Sequence, residues 1–97
     1  MKKGYWVVAY QSISDESAVK AYAELAGPAI QAFGGRVLTK STSKVQAYEA
    51  GLPQRAFIVE FDSYEFALAA RQSEAYQKAL RALGSGAARD FRIVEGA

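Results

Sequence analysis

Cysteine and histidine are both missing from this chain. Without thiolate or imidazole there can be no disulfide, no zinc finger, no iron–sulfur ligation, no axial haem histidine and no Ser–His or Cys–His catalytic pair. A hard cation held by carboxylates is the remaining metal option, and no Asp/Glu run has the loop spacing such a site needs. The expectation is therefore no metal and no cofactor. The missing cysteines also fit a reducing compartment. Long apolar runs are absent too. The stretch Gly4–Ala9 behind Lys2 and Lys3 is shorter than a signal-peptide core, and nothing approaches the roughly 20 residues of a membrane helix. The chain thus reads as cytoplasmic, with no membrane partner. It also lacks a one-sided charge: 12 Lys/Arg stand against 10 Asp/Glu, and apart from Lys2 and Lys3 the basic residues are scattered. That pattern argues against a nucleic-acid partner.

What is present is apolar and strongly patterned. Of 97 residues, 51% are hydrophobic, enough for one domain and too few residues for two. Tyr5–Gln11 is aromatic and β-branched and predicts a strand. Ser14 is placed as the N-cap of a helix, with Asp15 and Glu16 in its first turn. Val19, Tyr22, Ala23, Ala26, Ile30 and Phe33 then build one helical stripe. Pro28 lies inside the stripe and predicts a kink rather than an end, because the stripe resumes beyond it. Gly34-Gly35 stops the helix. Arg36–Lys40 reads as a short strand, Ser41-Thr42-Ser43 as a turn, Lys44–Glu49 as a weaker strand and Gly51-Leu52-Pro53 as another turn. Ala56–Phe61 is the most strand-like run. Ser63 caps a second helix, a break near Ser73 opens a third through Leu83, and Gly84-Ser85-Gly86 leads to a last strand over Arg89–Glu95.

This order, β-α-β-β-α-β, is that of a ferredoxin-like α+β fold: an antiparallel sheet with helices on one face. The other face should then be polar. It is not, because the two most strand-like runs are apolar on both sides: Tyr5, Val7 and Ala9 alternate with Trp6, Val8 and Tyr10, and Phe57, Val59 and Phe61 with Ala56 and Ile58. A second copy packed against the open face would cover it, which predicts a homodimer. The alternative cover is the chain's own N-terminal tail or the 41–55 segment.

The chain also resembles a known family. Lys3-Gly4-Tyr5-Trp6 opens the first strand, Tyr22 and Pro28 stand in the first helix, and Phe33-Gly34-Gly35-Arg36 leads to the second strand. Glu60-Phe61-Asp62-Ser63 precedes the second helix, Ala67 follows, and Ser73-Glu74-Ala75-Tyr76 marks the helix break. Together these are similar to domain-of-unknown-function family 1330, within the dimeric α+β barrel superfamily. Two stretches depart from it. Lys40-Ser41-Thr42-Ser43 stands where the family often has an Arg-Gly-Gly turn, and Ala70-Arg71-Gln72 where it often has an aromatic pair. The resemblance implies the fold and the dimer; the family has no agreed activity.

Five residues stand out as candidate site residues. Glu60 is a carboxylate in an apolar strand: it is either a general base or ligand anchor with a raised pKa, or the ion-pair partner of Arg36 or another basic residue, or a residue exposed at the strand end. Arg36 follows the glycine pair and either holds a substrate carboxylate, serves Glu60, or is a solvated strand-end residue. These two form the candidate catalytic pair. Tyr22 and Tyr76 either point hydroxyls into a pocket or fill the core, and Trp6 either walls a flat ligand, with Tyr10, or packs a dimer interface. These are the candidate ligand-binding residues. Gly34-Gly35 precedes a strand rather than a helix and is no phosphate loop. Two functions remain open: a small-molecule-binding dimer with a pocket between sheet and helices, including a cofactor-free enzyme of proton transfer or oxidation, and a non-catalytic stress-related or regulatory dimer.

Overall fold

A computed structural model describes residues 2–97. The chain runs β1 (Gly4–Ile13), α1 (Glu16–Ala32), β2 (Arg36–Val37), β3 (Ala56–Phe61), α2 (Tyr64–Gln72), α3 (Glu74–Leu83) and β4 (Ala87–Glu95). The strands form one sheet in the order β2-β3-β1-β4, with every neighbouring pair antiparallel. This is the ferredoxin-like α+β arrangement anticipated from the order of elements.

The central strand β1 dictates the layers. Trp6, Val8 and Tyr10 are buried, whereas Val7 and Ala9 are exposed. A strand sends successive side chains to opposite faces, so the even positions meet the helices and the odd ones face away. The β1–β4 register shifts between Tyr10 and Ser12. That irregularity moves the inward set by one residue, so that Ile13 rather than Ser12 packs on the core. The core itself joins strand aromatics to helix alanines. Trp6, Phe61 and Tyr76 are fully buried, and Ala67, Ala70 and Ala79 present small side chains that let the helices approach the sheet closely.

Asp15, not Ser14, is the N-cap of α1: its Oδ1 accepts from the backbone N–H of Ser17 at 3.0 Å and of Ala18 at 3.2 Å. Ser14 is engaged elsewhere. Its hydroxyl donates to the Ser85 carbonyl and its N–H to the Gly86 carbonyl, which ties the start of α1 to the loop before β4. The helix runs through Pro28 to Ala32. Gly27 just before it carries no Cβ to collide with the proline ring, which eases a proline at this place. Gly34 takes φ 74°, a left-handed conformation that ends the helix, and a Cβ at Gly35 would meet Ile30 and stand 2.7 Å from the Phe61 ring.

Two strand expectations differ from the structure. β2 is only two residues long, because the Thr39 side chain replaces the backbone ladder: its hydroxyl donates to the Ala56 carbonyl and accepts from the Ile58 N–H. Residues 44–49 form no strand. Val45 and Tyr48 are the only large apolar side chains there and both stay exposed, so nothing holds the segment against the sheet.

The sheet face opposite the helices carries Val7, Ile58 and Val94, which are 40%, 36% and 46% exposed. Of the 41–55 segment, Ala50–Leu52 lie beside Ala9, Gln11 and Asp90 around a small hollow.

Candidate functional site

The five candidate residues do not gather at one place. Glu60 and Arg36 lie on the open side of the sheet. The register places Arg36 opposite Glu60 and Tyr5 opposite Glu60, which makes one row across three strands. Arg36 Nε donates to Glu60 Oε1 at 3.0 Å, its Nη2 to Asp62 Oδ1 at 3.1 Å and its Nη1 to the Gly34 carbonyl at 3.2 Å. The Tyr5 hydroxyl donates to Glu60 Oε2 at 3.2 Å. The Arg36 guanidinium holds the Glu60 carboxyl below its ordinary value, outweighing the opposing effect of burial. Glu60 is thus a paired carboxylate rather than the protonated or poised acid that isolation in an apolar strand would make it.

Trp6 and Tyr76 lie inside the core. Trp6 is fully buried, its indole N–H donates to the Ala67 carbonyl at 2.9 Å, and its ring meets Phe61, Tyr76 and Phe91 at about 5 Å between centroids. Tyr76 shares a 2.6 Å hydrogen bond with the Tyr22 hydroxyl. Tyr22 is the one candidate that reaches both the core and a cavity.

That cavity, about 350 Å³, opens between α1 and the β2–β3 edge. Its volume is within the usual range for small-molecule sites. Val19, Tyr22, Ala26 and Ile30 of α1 form one wall, because residues three and four apart share a helix face. Tyr10 and Phe57, inward residues of β1 and β3, form the floor. Val37 and the stretch Thr39–Ser41 close the far side, where the ladder gives way to loop. The charged side chains of the lining are Lys40, on that side, and Arg55, whose Nη2 reaches both Glu16 carboxylate oxygens at 3.1 and 2.9 Å.

Behind Tyr10 and Tyr22 sits Arg89. Its guanidinium carbon lies 4.7 Å from the Tyr22 ring centre, 5.5 Å from that of Phe91 and 5.6 Å from that of Tyr10. Its Nη1 is buried without a hydrogen-bond partner among the described residues. Burial raises the Tyr22 hydroxyl pKa, with Tyr76 adding to it and Arg89 opposing. Sequence reasoning passed over Arg89, Arg55 and Lys40. For Arg89 a sign was there: with Phe91 and Ile93 setting the inward phase of β4, position 89 falls on the inward face, where a lone cation stands out. Among the described residues no group of three or more Asp/Glu comes together to hold a metal ion. Nor is any helix long and apolar enough to cross a membrane.

These features define a ferredoxin-like α+β protein with a half-open apolar cavity beneath its first helix. The chain belongs to the family described as Domain of unknown function (DUF1330), whose profile matches residues 3–97. A protein of unknown function from Rhodopseudomonas palustris superposes with a TM-score of 0.76 at 14% identity, over 99% of this chain and 83% of that one. An ethyl tert-butyl ether d (ethd) family protein from Bacillus halodurans does so with 0.58 at 13% identity, over all of both chains. A dimeric ferredoxin-like protein of unknown function from Thermobifida fusca gives 0.53 at 11% identity, over 97% of this chain and 91% of that one. Identities this low show a shared fold alone. Comparison with curated proteins finds no match.

Proposed function

We propose that this chain is a homodimeric small-molecule-binding protein, each subunit holding its ligand in the cavity between α1 and the β2–β3 edge. The observation that carries the reading is the cavity itself: a ligand-sized space walled largely by apolar side chains, with a few polar groups among them. Tyr22, the candidate residue on its wall, is the ligand-contacting one. The dimer half of the reading is supported by the exposed Val7, Ile58 and Val94 on the open sheet face, and by the dimeric assembly named for the Thermobifida relative. Arg36 and Glu60 lie in the polar row beside that apolar patch, which suits them to fixing the register of two copies rather than to chemistry in the cavity.

Two measurements test this. Sedimentation equilibrium at micromolar concentration should return about twice the 10.5 kDa chain mass, and Ile58→Lys should halve it. A neutral solvatochromic dye should bind at one site per chain, and Ala23→Trp, which fills the cavity from α1, should abolish that binding without unfolding the chain. A monomeric wild type would remove the dimer, and dye binding indifferent to Ala23→Trp would remove the cavity. A dimer that takes up nothing would favour the non-catalytic association module.

A further inference from the structure

We propose that the segment between Thr39 and Ala56 is a clasp: the partner copy covers its middle, its two ends frame the cavity, and dimerisation and ligand uptake therefore strengthen one another. The clasp rests on the dimer and the cavity read above and adds the element that couples them.

Residues 40–55 reach both places. Lys40 and Ser41 at one end, and Arg55 at the other, line the cavity. Between these ends the chain crosses to the opposite side of the sheet, where Ala50, Gly51 and Leu52 lie beside Ala9 and Asp90. Ala9 and Asp90 are cross-strand partners, and alternation from the buried Val8 and Tyr10 puts Ala9 on the open face. Little in the subunit itself holds the middle of the segment. Among the described residues, the hydrogen bonds of residues 40–54 close within the segment: the Lys40 N–H donates to Ser43 Oγ at 2.8 Å, the Ser43 N–H to the Lys40 carbonyl at 3.0 Å and the Gly51 N–H to the Tyr48 carbonyl at 2.9 Å. Glu49, inside that last turn, is the only non-glycine residue described with a left-handed backbone, at φ 53°. Such a conformation persists where the surroundings repay it.

A second copy is the occupant that fits. Val45, Tyr48 and Leu52 are all exposed, and Tyr48, at 76%, is the most exposed large apolar side chain described. Leu38 follows the cavity-lining Val37, so it falls on the open face, and its N–H donates to the Ile58 carbonyl at 2.8 Å. It extends the row of Val7 and Ile58 to the sheet edge. Four strands about 4.8 Å apart and about 20 Å long offer a face of about 400 Å². A stable interface takes about 800 Å² from each partner. The sheet face supplies about half of that, and the apolar side chains of the neighbouring segment are placed to supply the rest. Burying them orders the segment, whose ends then fix the mouth of the cavity. A ligand entering a mouth already fixed bears less of the ordering cost, and the coupling runs equally in both directions.

The test follows the neutral solvatochromic dye and the dimer together on the full chain. The dye should bind the wild-type dimer at least about fivefold more tightly than the Ile58→Lys monomer, whose substitution lies outside the cavity lining. Saturating dye should tighten the wild-type dimer by the square of that factor, because each dimer takes two ligands. Tyr48→Ser combined with Leu52→Ser, which also leaves the cavity lining untouched, should weaken dimerisation about tenfold or more. In the Ile58→Lys background the same pair should leave dye affinity unchanged, since it acts only through the partner. Backbone amides of residues 42–54 should exchange hydrogen more slowly in the dimer than in the monomer. Equal dye affinity of dimer and monomer would overturn the clasp and leave dimer and cavity standing. So would a dimer unweakened by the Tyr48 and Leu52 changes, equal hydrogen exchange in the two states, or a loss of dye affinity from those changes in the monomer. A monomeric wild type removes the dimer reading, failure of the dye removes the cavity reading, and the clasp falls with either.

Discussion

At the scale of single residues, the five candidates were recognisable by type but not by location. Glu60 in an apolar strand has to be either paired or neutral, and Arg36 Nε lies 3.0 Å from it. Tyr22, Tyr76 and Trp6 each carry one polar atom on an apolar body, and each of those atoms has a hydrogen-bond partner. Tyrosines also report the site. Tyr5, Tyr10 and Tyr22 all have their pKa raised above the ordinary 10.0, with desolvation the largest cause in each. An unfolded chain ionises them first, so the folded state loses stability as the pH rises past 10.0 toward the raised folded values. Ultraviolet titration of the native chain should therefore show these three ionising later than a free tyrosine, with unfolding accompanying the ionisation of Tyr22. Tyr22→Phe should flatten the alkaline loss of stability. Ordinary ionisation of Tyr22 without unfolding would contradict its burial.

At the scale of elements, local chemistry was a reliable guide wherever a cap or a period decided the outcome. The break at Ser73 is the clearest case. Its hydroxyl donates to the Ala70 carbonyl at 2.8 Å, closing α2, and accepts from the Tyr76 N–H at 3.2 Å, opening α3. One side chain thus serves two helix ends, and the second of them positions Tyr76 against Tyr22. Ser73→Ala should cost about 1–2 kcal/mol, read as a fall of roughly 4–8 °C or more in melting temperature. Ser73→Asp should recover only part of the loss, because its carboxylate can accept from the Tyr76 N–H but cannot donate to the Ala70 carbonyl. A melting temperature unmoved by Ser73→Ala would show that packing alone sets the break. Where two local solutions competed, sequence was a poorer guide. Ser14 and Asp15 both suit an N-cap, and the tie was broken by Ser85 and Gly86, more than seventy residues away, which engage Ser14. Residues 44–49 have some strand character and no partner, and a strand without a partner does not form.

At the scale of the whole molecule, carboxylates set the acid limit. Asp15 is held below its ordinary 3.8 by Ser17 and Ala18, Glu60 below 4.5 first by Arg36, and Glu74 below 4.5 by Arg81. With folded values lower than unfolded ones, their contribution is fully present above the unfolded values and is lost as the pH falls through the folded ones. Urea unfolding should give a level midpoint down to about pH 5 and a falling one below it. The combined change Asp15→Asn, Glu60→Gln and Glu74→Gln should lower the plateau slightly and flatten the acid limb, since exposed pairs contribute little each. An acid limb of unchanged steepness in that variant would move the cause to other groups.

The sequence by itself determined the class of fold. Period-two and period-3.6 patterning, cap residues and glycines act over a few positions, so α+β order, the helix break at Ser73 and the doubly apolar strands could all be read from the chain. Only the tertiary structure decided what meets what. Arg89 reaches Tyr22 because β4 pairs with β1 in one register and α1 lies across the same face. The cavity exists because β2 stops after Val37 and Thr39 takes over its ladder. Such contacts join residues far apart in the chain, and their formation depends on the sum of all strand pairings rather than on any local preference. For the same reason Glu60 and Arg36 stand on one face of the sheet and the cavity on the other: alternation assigns each residue a side, but only the assembled sheet decides which side receives the helices.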